Sequence, residues 1–162
     1  MLDQDILDEA ADLLAVMQAR GVTIATAESC TGGLISAALT AIPGSSATLL
    51  CGYVTYSNAA KAGMLDVPSA TIAAQGAVSE EVARAMAEGA LARSGAGIAV
   101  ACTGVAGPGG GSADKPVGLV HMAAARTDGT VLHRRMVFPG DRTAVRAATV
   151  REAFSLIRAL LV

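Results

Sequence analysis

The residues best able to do chemistry are crowded into Thr26-Ala27-Glu28-Ser29-Cys30-Thr31-Gly32-Gly33-Leu34. The β-branched stretch Val22-Thr23-Ile24-Ala25 before it reads as a strand, and Leu34-Ile35-Ser36-Ala37-Ala38-Leu39 after it reads as a helix. Polar groups at the carboxyl end of a strand lie where parallel α/β sheets present their sites. Backbone N–H groups at the start of a helix can hold an anion or a developing oxyanion. Ser29 stands just before those donors, where a hydroxyl nucleophile would use them. A plainer reading competes: Ser and Thr before a helix are often caps, and paired glycines can simply let helix and sheet approach.

A serine hydroxyl is a weak nucleophile unless a base activates it. The two histidines, His121 and His133, fall far from this stretch and read as partly exposed strand residues. A lysine can replace histidine if burial leaves its amine neutral. Tyr56 ends a second apolar run and Lys61 lies on the first turns of the helix that follows, close enough in sequence to face one pocket. Alone, Lys61 reads as a solvated helix residue. Cys30, Cys51 and Cys102 are widely spaced and fit neither a zinc pattern nor a disulfide framework, so no metal is expected.

The elements that must position these groups follow from periodicity. Ile6, Leu7, Ala10, Leu13, Leu14 and Met17 recur at helical spacing, and Gly21 stops that helix. A strand over 22–27, a helix over 31–41 and a strand over 49–57 come next, with Asn58 as the cap of a short helix. Pro68, Ser69 and Gly76 punctuate a connection with room for one helical turn. Ser79 caps a helix whose first turn holds Glu80 and Glu81. Residues 98–103 are apolar throughout, as in a strand buried on both faces. The Gly-rich segment 104–118 reads as a flexible connection or as a loop that closes on a ligand. Apolar runs at 117–125 and 131–138 flank Asp128-Gly129, a hairpin signal, and a last helix spans 142–161. The predicted fold is α/β: one domain over 1–162, a three-layer α/β/α sandwich around a mixed, mainly parallel sheet.

Composition narrows the partners. The net charge is −2, which leaves no nucleic-acid footprint. An anionic ligand therefore needs a local set of donors. No signal peptide or membrane-spanning apolar run is visible, so a soluble cytoplasmic protein with reduced thiols is expected.

Five motifs occur in order: Thr26 through Gly33; Tyr53-Val54-Thr55-Tyr56-Ser57-Asn58-Ala59-Ala60-Lys61; Gly76-Ala77-Val78-Ser79; Thr103-Gly104-Val105-Ala106-Gly107-Pro108 through Lys115-Pro116-Val117-Gly118; and Phe138-Pro139-Gly140-Asp141-Arg142. Together they resemble the CinA C-terminal domain family, the stand-alone nicotinamide-nucleotide amidohydrolases, over nearly the whole chain. The amino-terminal domain that some members carry is not expected here. The resemblance implies hydrolysis of the carboxamide of nicotinamide mononucleotide to nicotinate mononucleotide and ammonia, in pyridine nucleotide salvage. It implies Ser29 as nucleophile, Tyr56 and Lys61 as its catalytic partners, and no cofactor. Thr31, Gly32, Gly33, Asn58, Thr103, Gly104 and Arg142 are the expected substrate-binding residues, with Arg142 and the Gly-rich backbone as candidate phosphate donors. The same motif set turns the reading of Lys61 from solvated residue to base. No nucleic-acid or membrane partner is expected, and self-association stays open. Two other readings remain: a non-catalytic nucleotide-binding module in competence or DNA-damage metabolism, and an amidase for a different pyridine or nucleotide.

Overall fold

In the computed structural model, residues 2–162 are described. They form a five-stranded sheet of order β2-β1-β3-β4-β5. Its strands are β1 (Ile24–Glu28), β2 (Leu49–Val54), β3 (Ile98–Gly104), β4 (Leu119–Arg126) and β5 (Val131–Val137). The two β1 pairings, with β2 and with β3, are parallel; β3–β4 and β4–β5 are antiparallel. The predicted mixed α/β architecture is therefore present. Its parallel part is the β2-β1-β3 half, and the hairpin around Asp128-Gly129 supplies the rest.

Strand alternation sends consecutive side chains to opposite faces. Ile24, Ile98, Val100, Cys102, Val120 and Met122 pack under α1 (Gln4–Ala19), α2 (Leu34–Thr40) and α6 (Arg142–Leu160). The other face is paved by Ala25, Ala27, Ala99, Ala101, Ala123 and Ala125 beneath α5 (Glu80–Ser94). Alanine here leaves room for the helix to lie close, which is how a chain with no Trp and two Phe still fills its core. The short helices α3 (Asn58–Leu65) and α4 (Ser69–Gln75) pack beside α5. Gly89 permits that contact, because a Cβ there would sit 1.9 Å from the Leu65 carbonyl oxygen.

The observed elements correct four details of the sequence reading. Strand β2 stops at Val54, not at Ser57, because its partner β1 ends at Glu28; the Thr55 N–H still reaches the Glu28 carbonyl at 2.8 Å. Tyr56 therefore stands on the loop after the strand. Ser57, not Asn58, caps α3, its Oγ accepting from the Ala60 N–H at 3.0 Å. Helix α2 begins at Leu34 because Gly32 and Gly33 have φ of 59° and 97°, outside the right-handed helical region. The connection after Pro68 contains a seven-residue helix, α4.

Candidate active site

The alternation that paves one face with Ala25 and Ala27 places Ser29 next on that side, facing α3, while Glu28 points to the α2 side. Both placements have consequences. Lys61, on the same buried face of α3 as Leu65, is 1 % exposed. Its Nζ lies 2.9 Å from Ser29 Oγ and 2.8 Å from the Thr55 carbonyl oxygen. Burial pushes the Lys61 amine below its ordinary value, opposed by the nearby thiols of Cys102 and Cys30. Lys61 Nζ donates to both oxygens; a neutral amine at this spot would instead accept the Ser29 hydroxyl proton while still donating to Thr55 O, the geometry of a nucleophile and its base.

Glu28 is fully buried and serves the turn. Its Oε2 accepts from Thr31 Oγ1 (2.6 Å), Gly33 N–H (3.0 Å) and Ile35 N–H (3.0 Å). Its Oε1 accepts from Ser36 N–H (2.8 Å) and Ser36 Oγ (3.0 Å). The first-turn donors of α2, expected to face a ligand, thus hold an anion that belongs to the protein.

A pocket of about 220 Å³ opens over Ser29 and Lys61; Tyr56, Asn58, Thr103, Gly104 and Arg142 also line it. Seven of the ten expected site residues therefore meet in one place. Thr31, Gly32 and Gly33 do not line it. Thr31 and Gly33 bind Glu28, and Gly32 N–H closes back on the Ser29 carbonyl at 3.0 Å. Thr103 Oγ1 donates to the Ala77 carbonyl at 2.8 Å, tying β3 to the segment before α5. Arg142 spans the rim, its Nη1 donating to Gly107 O and its Nη2 to the Tyr56 hydroxyl, each at 3.0 Å. Tyr56 is 60 % exposed and turned toward Arg142, so the contact on Ser29 Oγ comes from Lys61.

Sequence reasoning did not single out Cys30, Ala77, Val78 and Ala106 as pocket walls. The motif Gly76-Ala77-Val78-Ser79 pointed at two of them without assigning a role. Nor did it find the anchoring role of Glu28, although the period-two alternation along β1 separates Glu28 from Ser29. Cys30 adjoins Ser29 in the wall, but its contact with Cys102 and its burial push the thiol well above the usual range. It is therefore a poor nucleophile.

The histidines pair with each other, His121 Nδ1 lying 3.1 Å from His133 Nε2, and His133 Nδ1 lies 3.4 Å from Glu80. Neither lines the pocket. Burial lowers the pKa of both. Among the described residues, no group of three or more His, Cys, Asp or Glu is placed to hold a metal. No helix described is long and apolar enough to cross a membrane.

Comparison with known proteins places this arrangement. Among solved structures, competence/damage inducible protein CihA from Agrobacterium tumefaciens superposes with a TM-score of 0.96 at 51% identity, over 99% of this chain and 98% of that one. A CinA superfamily protein from Klebsiella pneumoniae gives 0.92 at 39% identity, over 96% and 97%. A CinA-like protein of Anaeromyxobacter dehalogenans is 51% identical over 95% of this chain, and one from a Mycobacterium strain is 53% identical over 95%. The chain spans 38% and 35% of those two relatives' lengths. The family profile described as the CinA C-terminal domain matches residues 7–161, so the chain belongs to the CinA C-terminal domain family.

Proposed function

We propose that this chain is a serine-dependent amidohydrolase that converts nicotinamide mononucleotide to nicotinate mononucleotide and ammonia. One contact carries the reading: a buried lysine amine 2.9 Å from the hydroxyl of Ser29, at the floor of a pocket. Burial lowers the Lys61 pKa, which favours its amine as the base for Ser29.

In the proposed reaction, Lys61 Nζ takes the Ser29 proton as Oγ bonds to the carboxamide carbon. The carbonyl π pair moves to oxygen. Collapse restores the C=O bond and breaks the C–N bond, while the Lys61 ammonium returns the proton to the departing nitrogen as ammonia. Water then attacks the acyl ester by the same route in reverse, freeing Ser29 and the carboxylate product. A pocket of about 220 Å³ suits the pyridine ring and its carboxamide; the rest of a nucleotide must lie across the mouth, where Arg142 stands. Arg142 is the proposed phosphate ligand, and Tyr56 positions it through the 3.0 Å contact. Asn58, Thr103 and Gly104 shape the wall.

The test is incubation of the purified protein with nicotinamide mononucleotide, the riboside and free nicotinamide, reading ammonia and the acid product. Release from the mononucleotide, abolished in Ser29→Ala, is the expected result. No release from any of the three, with the mononucleotide still bound, would leave the binding-module reading standing in its place.

A further inference from the structure

The backbone donors of the turn from Ser29 to Ser36 can be accounted for, and the account leaves two over. Ser29 N–H goes to Cys102 O, Gly32 N–H to Ser29 O and Leu34 N–H to Thr31 O. Gly33, Ile35 and Ser36 N–H go to the Glu28 carboxylate. Among the described residues, the N–H groups of Cys30 and Thr31 reach no oxygen acceptor, the Cys30 N–H meeting only its own thiol. Their residues are 5 % and 0 % exposed, so water does not compensate freely. Buried N–H groups without partners are rare in folded chains.

These donors belong to the turn before α2, not to the helix, whose own first donors are spent on Glu28. Cys30 lines the pocket and directly follows the serine. Two side-chain donors on the wall have partners within the protein: Thr103 donates to Ala77 O, and Arg142 to Gly107 O and Tyr56. We infer that the Cys30 N–H is the oxyanion hole of the amidase reaction, and that Glu28 keeps the hole unshared by binding the competing donors. The inference rests on the serine-amidase reading above. When Ser29 Oγ bonds to the carbonyl carbon, the displaced π pair resides on an oxygen that accepts from Cys30 N–H. When the C–N bond breaks, that pair re-forms the carbonyl. A donor in this role is worth about 10²–10³ in kcat.

The test uses the full chain, uniformly labelled with ¹⁵N and treated with an alkyl fluorophosphonate. Ser29 Oγ displaces fluoride from phosphorus, leaving a tetrahedral phosphonyl ester whose phosphoryl oxygen stands in for the oxyanion. Mass spectrometry locates the adduct, with Ser29→Ala as the unreactive control. The expected result is an adduct on Ser29 and a downfield displacement of the Cys30 amide proton larger than that of any other amide in 29–36. An adduct on Ser29 with the Cys30 amide unmoved overturns the oxyanion assignment and leaves the serine reading intact. No adduct on Ser29 overturns both.

Discussion

Replacing Glu28 by glutamine tests how much of the site depends on one buried carboxylate. The change keeps the shape and removes one acceptor. Five donor contacts converge on the two oxygens, three on Oε2 and two on Oε1. An amide must turn its NH2 toward one of these sets. The smaller loss is on the Oε1 side, where Ser36 Oγ can rotate to accept but Ser36 N–H cannot. At least one buried N–H is then orphaned, at about 1–3 kcal/mol. Loss of the negative charge at the start of α2 adds about 0.3–1 kcal/mol. The sum, about 1.3–4 kcal/mol, corresponds to a fall in Tm of roughly 3–16 °C for a domain of this size. Thermal unfolding followed by calorimetry, with urea unfolding beside it, reads this directly. Activity should fall as well, since the turn that carries Ser29 loses its anchor. A Glu28→Gln protein melting within about 1 °C of the parent would refute the accounting of donors, because a satisfied buried network does not give up an acceptor at no cost.

Four further perturbations have expected outcomes. Ser29→Ala should lower amide turnover by roughly 10⁴-fold or more while shifting stability by only about 1 kcal/mol, read by ammonia release and urea unfolding. Lys61→Met should cost about 10²–10⁴ in kcat and remove a limb on which kcat/KM rises with pH as the amine deprotonates, below the ordinary lysine range. Because the folded pKa of Lys61 lies below the unfolded one, the unfolded chain binds more protons between the two; stability rises with pH across that window, and Lys61→Met should flatten the rise. Arg142→Ala should cost roughly 2 kcal/mol in kcat/KM on the mononucleotide and little on the riboside, and equal losses would withdraw the phosphate assignment. Exhaustive chelation should leave activity unchanged, and activity restored by one divalent ion would refute that.

The parts of this fold legible in the sequence are those governed by local periodicity. Residues 98–103 read as a doubly buried strand, and β3 is buried along that run because helices cover both faces. Ser79 reads as a cap, and its Oγ does accept the Val82 N–H. The errors fall where a tertiary partner overrides local preference. Tyr56 continues the β2 alternation in sequence, yet β1 offers nothing to pair with beyond Glu28. Thr31 to Gly33 read as helix or as ligand donors because the sequence does not show that a carboxylate from the preceding strand already fills that space. Asn58 and Ser57 are both good caps, and only the extended backbone of Ser57, with φ of −92° and ψ of 160°, decides between them. The pocket was legible as a set of residues because five motifs carry it. Its geometry was not, since the contact between Lys61 and Ser29 joins residues 32 apart.

That contact also explains why the fold and the chemistry cannot be separated. Lysine serves as a base near neutral pH only when kept out of water, because solvation of the ammonium is what holds its pKa high. Here the exclusion is built from small residues. The alanine-paved face lets α5 lie close to the sheet, and Gly89 lets the end of α3 pack on α5. The buried face of α3 carries Lys61 and Leu65 into the same interior. A larger side chain at Gly89 would strike the Leu65 carbonyl, lift the end of α3 and admit water to Lys61. The amine would then regain its proton affinity while Ser29 and the pocket residues stayed chemically unchanged. In the proposed mechanism, small residues far from the pocket thus set the basicity of Lys61.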